Sequence, residues 1–266
     1  MPEIGVIGGS GLYSLIDDAV EVPGDDAFGP PSGPLAIGSV DGAEVAFLAR
    51  HGPGHRFPAH TVNYRANLWA LHQAGVRVIF GPSACGSLRA ELAPGHMVVC
   101  DQLVDRTSGR EDTYFDTVTN HVSLADPYCE ELRGALLAAA RAEGMTAHDG
   151  GTMTVISGPR FSTRAESRWF RDSGWDVVGM TQYPEAALAA ELGICYATAA
   201  LVTDYDAGLE DDPDIKPVTQ HDVFAFFAQN VDRMRAVLFG AIRAVAHNLP
   251  DCSARTNGIE PPLPSS

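Results

Sequence analysis

Basic residues are scarce in this chain: 18 Lys and Arg stand against 34 Asp and Glu, giving a formal charge of −16 over 266 residues. A nucleic-acid polymer or an anionic membrane needs a basic face, so neither is expected as a partner. An anionic small molecule needs only a local cationic pocket. The five cysteines, Cys85, Cys100, Cys129, Cys195 and Cys252, show no C-x-x-C spacing and read as reduced, mostly buried thiols of a cytoplasmic protein. No apolar run approaches the length of a membrane span, and Met1-Pro2-Glu3 enters a strand pattern with no basic leader, so export is not expected. There is no internal repeat and no convincing linker. With 45% hydrophobic and 20% charged residues, the chain has enough to bury one large α/β core. That core is expected over 1–252, followed by a mobile tail, 253–266, rich in Pro and Ser.

Short apolar runs recur along the chain, at Ile4 to Ile7, Ala43 to Leu48, Val76 to Phe80, Met97 to Cys100, Thr152 to Ile156, Asp176 to Val178 and Ile194 to Val202. They read as buried strands. Helical spacing appears at Val62 to Ala74, closed by Gly75, at Asp126 to Glu143, closed by Gly144, and at Pro184 to Leu192, closed by Gly193. Thr219, with Asp222 three residues on, can cap a last long helix whose apolar face is Val223, Phe226, Phe227, Val231, Met234 and Leu238. Strands alternating with helices argue for an α/β layered fold.

Chemistry is expected beyond the carboxyl ends of the strands, where such sheets bind ligands. Asp204 and Asp206 follow the run Ile194 to Val202, and if the chain stays extended both point the same way. A plain strand-to-loop turn before Gly208 accounts for them equally well. Gly8-Gly9-Ser10-Gly11 lacks the G-x-G-x-x-G order of dinucleotide folds but exposes N–H groups and a hydroxyl to an anion. Arg50 offers a planar fork for phosphate and His51 a second donor. Ser83-Ala84-Cys85-Gly86 and Met180-Thr181 are further turns of this kind. His51, His55 and His60 crowd together, yet Gly52-Pro53-Gly54 and Phe57-Pro58 disturb any regular ligand geometry, and no metal is expected.

These stretches, with Val62-Asn63-Tyr64-Arg65-Ala66-Asn67, Asp101-Gln102, Asp105-Arg106-Thr107, Gly158-Pro159-Arg160-Phe161-Ser162-Thr163 and Thr203-Asp204-Tyr205-Asp206, run in one order from the first residues to Asp206. In that order the chain resembles the trimeric purine-type nucleoside phosphorylases, and within them the 5'-methylthioadenosine branch. The resemblance implies a single-domain α/β fold with a mixed central sheet flanked by helices. It also implies phosphorolysis, in which inorganic phosphate attacks the anomeric carbon of a nucleoside and releases the base, with no cofactor. By that likeness Ser10, Arg50, His51, Ser83, Ala84 and Thr181 hold phosphate, Met180 lies against the ribose, and Phe161 and Ser162 contact the base. Asp204 and Asp206 match the family's base-recognition acids, and on chemical grounds Asp204 is expected to donate the proton that helps the base leave. His121 is lent to the pocket by a neighbouring subunit, which implies a homotrimer.

A 6-amino purine offers an N–H donor and an N7 acceptor, which a carboxylate and a carboxylic acid complement. Three departures from the branch bear on substrate choice. Gly179 replaces an Asn, Ser83 replaces a Thr, and Gln220 with His221 opens the last helix where apolar residues usually surround the 5' group; Val223 follows on that face. A polar Gln220 leaves adenosine open beside methylthioadenosine. A phosphorylase of 6-oxo purine nucleosides or of methylthioinosine, and a nucleotide-binding module without catalysis, are the competing expectations.

Overall fold

The computed structural model describes residues 1–9, 12, 15–207, 215, 217–256 and 258–264. Strands and helices are numbered in chain order. The first sheet runs β12 (Cys195–Ala197), β5 (Val78–Phe80), β1 (Ile4–Gly8), β4 (Ala43–Ala49), β3 (Leu35–Val40) and β2 (Val20–Val22). The second runs β8 (Gln102–Arg106), β10 (Thr152–Ile156), β11 (Val177–Gly179), β6 (Ser83–Ser87), β13 (Ala200–Asp204), β7 (Met97–Val99) and β9 (Ala147–Asp149). Both are mixed, so the expected α/β architecture is present, with two sheets where one central sheet was expected.

Period-two alternation decides which core each side chain enters. Ile7, Ala46, Leu48 and Ile79 face one cluster, together with Leu68 and Leu71 of α1 (Tyr64–Gln73) and Leu188 of α4 (Gln182–Glu191). Val6, Val45, Phe47, Val78 and Phe80 face the other, with Leu132 and Leu136 of α2 (Glu130–Ala142) and Met234 and Leu238 of α5 (Gln220–Val245). Helices cover both faces of the parallel centre of the first sheet, which is why its strands are largely apolar. The expected Thr219 cap is present: its side chain accepts from the Asp222 N–H, and the Asp222 side chain reaches back to the Thr219 N–H.

The run Ile194 to Val202 is not one strand. It divides into β12 and β13, which lie in different sheets, and Ser83 to Ser87 is a strand in its own right rather than a turn. The two segments step across together. Residues Cys195 to Ala197 pair with Val78 to Phe80, and Ala200 to Val202 pair with Ser83 to Cys85. Pro82 lies at the step and has no N–H to continue the ladder. The Gly81 N–H donates to the Ala197 carbonyl at 2.8 Å and the Thr198 hydroxyl to the Gly81 carbonyl at 2.9 Å, holding the two crossings in register.

Two further features were not expected. Arg164–Asp172 is a helix, α3, opened by a Thr163/Glu166 capping box, a T-x-x-E signal that the sequence displays in plain form. Cys195 and Cys252 form a disulfide with Cα atoms 5.2 Å apart, which corrects the reading of all five cysteines as reduced thiols. The pair is separated by 57 positions, and only the return of the chain after α5 brings Cys252 onto β12. Cys85, Cys100 and Cys129 are buried free thiols. Ser253–Thr256, at the start of the expected tail, forms a 3-10 turn next to α4. No helix among the described residues is long and apolar enough to cross a membrane.

Candidate active site

The paired crossings of β5 into β6 and β12 into β13 open a cavity of about 210 Å³. Arg50, His51, Ser83, Ala84, Phe161, Met180, Thr181, Asp204, Asp206, Gln220 and Val223, all anticipated from sequence, line it. Three anticipated residues do not appear in its wall. Ser10 lies outside the described residues, as do 208–214 and 216 of the acidic loop. Ser162 is close by, near enough to Asp206 for its hydroxyl to lower that carboxyl's pKa. His121 is exposed on the segment between β8 and α2 and does not line the cavity.

One end is organised by Arg50, which ends its reach from β4 fully buried. Its Nε and Nη2 donate to the two carboxylate oxygens of Glu185 at 2.5 and 2.9 Å, and Nη1 donates to the Pro82 carbonyl at 3.1 Å. Burial works against the guanidinium charge, but Glu185 outweighs it and its pKa is raised. Gly9 has no room for a side chain here: a Cβ would lie 2.9 Å from Arg50 Nη1 and 3.0 Å from the Pro82 carbonyl. Gly9 is thus packed directly on the cation.

His51 behaves differently from the donor anticipated. Burial first, then the adjacent Arg50 charge and His55, push its pKa down to about 3. It is a neutral ring, and because Nδ1 lies 2.8 Å from the Phe57 carbonyl, an obligate acceptor, Nδ1 carries the proton. Nε2 is left as an acceptor. His51 stacks on His55 with centroids 4.1 Å apart, while His60 is exposed outside the cavity. The three histidines form no ligand group; among the described residues only Cys129, Cys195 and Cys252 cluster closely enough to be one.

The other end is organised by the acids. Ser83 and Gly86 are three residues apart on β6, so the two ends stand about 10 Å from each other. β13 pairs with β6 through a register shift between Val202 and Asp204, and such bulges re-aim side chains beside functional sites. The chain does not then stay extended, as the two-residue period required. Asp206 turns into the left-handed region at φ 50°, and its N–H donates to Asp204 Oδ1 at 2.7 Å. The Thr203 hydroxyl donates to Asp204 Oδ2 at 2.7 Å and lies 3.3 Å from the Cys85 carbonyl. Gly86 makes this possible, since a Cβ would sit 2.9 Å from Asp204 Oδ1 and 3.1 Å from Asp206 Cα.

Burial pushes the Asp204 carboxyl up to about 6, against the pull of the Thr203 hydroxyl and the Asp206 N–H. Burial also raises Asp206, against the pull of the neighbouring Ser167 and Ser162 hydroxyls. A buried carboxyl beside a second one able to hold a proton near neutrality is an acceptor and donor pair. Between the two ends the wall is largely apolar, with Met180, Val178, Ile156 and Phe161. Gln220, Val223 and Phe224, from the first turn of α5, form the remaining side. Sequence reasoning weighed His55 only as a metal ligand, named Thr203 only as part of a matching stretch, and did not single out Phe224. The last two were legible as neighbours of chosen residues; His55 takes φ 59° and stacks on His51.

The cavity thus has a guanidinium end, an apolar middle and an acidic end, on a mixed α/β scaffold. Residues 3–243 match the phosphorylase superfamily, and the chain belongs to it, within the S-methyl-5'-thioadenosine phosphorylase branch. It is 56% identical over 243 residues to the S-methyl-5'-thioadenosine phosphorylase of Mycolicibacterium smegmatis, covering 91% of each chain. It is 54% identical over 271 residues to a purine nucleoside phosphorylase of Streptomyces coelicolor, covering 97% of this chain and 96% of that one. The structure of methylthioadenosine phosphorylase from Schistosoma mansoni in complex with adenine superposes with a TM-score of 0.88 at 35% identity, over 93% of each chain.

Proposed function

We propose that the protein cleaves 5'-methylthioadenosine with inorganic phosphate, releasing adenine and 5-methylthioribose 1-phosphate. The observation that carries this reading is the acidic end. A half-buried and a buried carboxyl, both with raised pKa values, suit a 6-amino purine: one accepts from the amino group and the other donates to N7. Asp204 supplies the proton as the glycosidic bond breaks, a role for which a pKa near the working pH is the useful one. Asp206 accepts from the exocyclic amine, with Phe161 and Ser162 beside the base and Met180 against the ribose. Arg50, Ser83, Ala84, Thr181 and, from the undescribed turn, Ser10 hold phosphate against the anomeric carbon. His51 completes that site as an acceptor for a phosphate hydroxyl. Phosphate is a co-substrate and no cofactor takes part.

Val223 and Phe224 suit a 5'-methylthio group, and Gln220 beside them favours a second substrate, adenosine, whose 5'-hydroxyl it can hydrogen-bond. Rates of base release from methylthioadenosine, adenosine and inosine, each with and without phosphate, test the reading. Methylthioadenosine is expected to be fastest and strictly phosphate-dependent; faster cleavage of inosine would overturn the choice of base.

The working assembly we infer is a homotrimer in which His121 completes a neighbour's cavity. Val118 and Leu124, 48% and 38% exposed, flank His121 on a segment whose base is clasped to α4 by Glu191, which accepts from the Thr113 hydroxyl and the Tyr114 N–H. An active monomer by light scattering with in-line assay would rule this out. The three buried free thiols support a cytoplasmic setting, and the Cys195–Cys252 disulfide weighs against it.

A further inference from the structure

The phosphate end of the cavity is built around a cation that the protein has already neutralised. Among the described lining residues Arg50 is the only Arg or Lys, and His51 is neutral. Glu185, at 0% exposure, sits behind Arg50 and does not line the cavity. It holds the guanidinium side-on through two hydrogen bonds. Tyr196 donates its hydroxyl to Glu185 Oε2 at 2.7 Å, and the same hydroxyl lies 2.8 Å from Gln182 Oε1. Gln182 in turn donates to the Gly81 carbonyl at 3.3 Å, which ties the set to the strand crossing. Three of the fork's five N–H donors are committed, leaving one on Nη1 and one on Nη2 without a partner among the described residues.

We propose that Glu185, backed by Tyr196 and Gln182, is a positioning residue for phosphorolysis that aims the two free Arg50 donors while cancelling the Arg50 charge. This rests on the phosphate assignment above. The subsite then recognises the anion by directed hydrogen bonds rather than by net charge. The bound anion keeps its own negative charge, which faces the cation that develops on the ribose as the base departs. An unneutralised Arg50 would bind phosphate more strongly in the ground state and blunt the field that the transition state needs, and only stabilisation specific to the transition state raises turnover.

The test is E185Q, which keeps the shape of the side chain and removes its charge. Phosphate should bind about tenfold tighter, because it becomes the missing counter-ion of a buried guanidinium, while kcat falls about tenfold or more. A role confined to holding the fold would weaken phosphate binding and lower the melting temperature together, and that result would overturn the proposal. E185D restores the charge at the expense of reach, and should return phosphate affinity toward the parent value; affinity that stays at the E185Q value would also overturn it. If E185Q does not fold, the parent enzyme still decides the matter. Raising the ionic strength with a salt whose anion is too large for the site should leave the phosphate KM unchanged or lower it, since the protein as a whole carries −16. A rising KM would mean a net cationic subsite. Phosphate-dependent base release by the parent is the control: its absence would sink the reaction itself, whereas a wrong sign in E185Q sinks only this assignment.

Discussion

Arg50, buried, and Asp204, half-buried, are ionisable groups in the wall of one cavity, and their surroundings push them to opposite outcomes. Arg50 meets a carboxylate in bidentate geometry and stays charged. Asp204 meets no cation among the described residues. It receives a hydroxyl and an N–H, and burial beside Asp206 pushes its pKa up to about 6. Desolvation acts on both; the partner decides which form survives. The consequence for function is a division of labour, with a fixed, oriented donor set at the phosphate end and a movable proton at the base end.

Removing Arg50 should break this comparison most severely. Arg50→Met leaves Glu185 buried without its counter-ion, a loss of about 3–5 kcal/mol of stability by urea titration, with phosphate-dependent turnover abolished. A variant as stable as the parent would show that Glu185 had another way to be satisfied.

Asp204→Asn should act on rate and stability in opposite directions. Turnover should fall by about 10²–10³, with little change in phosphate affinity, because the lost proton serves the leaving base. The Asp204 carboxyl is raised in the folded state from 3.8 to about 6. The folded protein therefore binds more protons than the unfolded chain in that interval, and stability declines as pH rises through it, by an amount on the order of 3 kcal/mol at most. Above pH about 6 the whole penalty is present, so the Asn variant should melt higher than the parent there and lose that advantage near pH 4. The same titration predicts that nucleoside kcat/KM in the parent declines as pH rises through about 6, and that this limb vanishes in the variant. A limb that persists would assign the proton to another group.

Gly86→Ala tests geometry rather than charge. Its Cβ would press on Asp204 Oδ1 and the Asp206 backbone, and an order-of-magnitude drop in turnover with intact phosphate binding is expected. The smallest effect should come from Thr203→Val. It removes the hydroxyl that stabilises ionised Asp204, so the alkaline limb should move up by about half a unit to one unit. A downward shift, read from the pH profile, would contradict the hydrogen-bond assignment.

Much of the wall was legible in advance because its residues follow apolar runs or sit in strand-end turns: Arg50, His51, Ser83, Thr181, Asp204 and Asp206 were all chosen on that ground. Their surroundings were not. The run Ile194 to Val202 carries no mark of its division into two strands, since every residue in it suits either sheet. His51 reads from sequence as a donor, and only its burial next to Arg50 makes it a neutral ring with Nδ1–H committed to Phe57. Thr163 and Glu166 did announce α3, by a local signal as plain as that of Thr219 and Asp222.

The sequence by itself determined what depends on neighbours a few residues away: where helices start, which strand residues alternate between two cores, and which chemical groups stand near strand ends. Those features follow from local backbone preference and from periods of two and 3.6. Only the tertiary structure decided the partners. Glu185 reaches Arg50 across 135 positions and Cys252 reaches Cys195 across 57, while Asp204 is left with no cation at all among the described residues. The sign and strength of a buried group's chemistry depend on what packs against it, and long-range packing writes nothing into the local pattern.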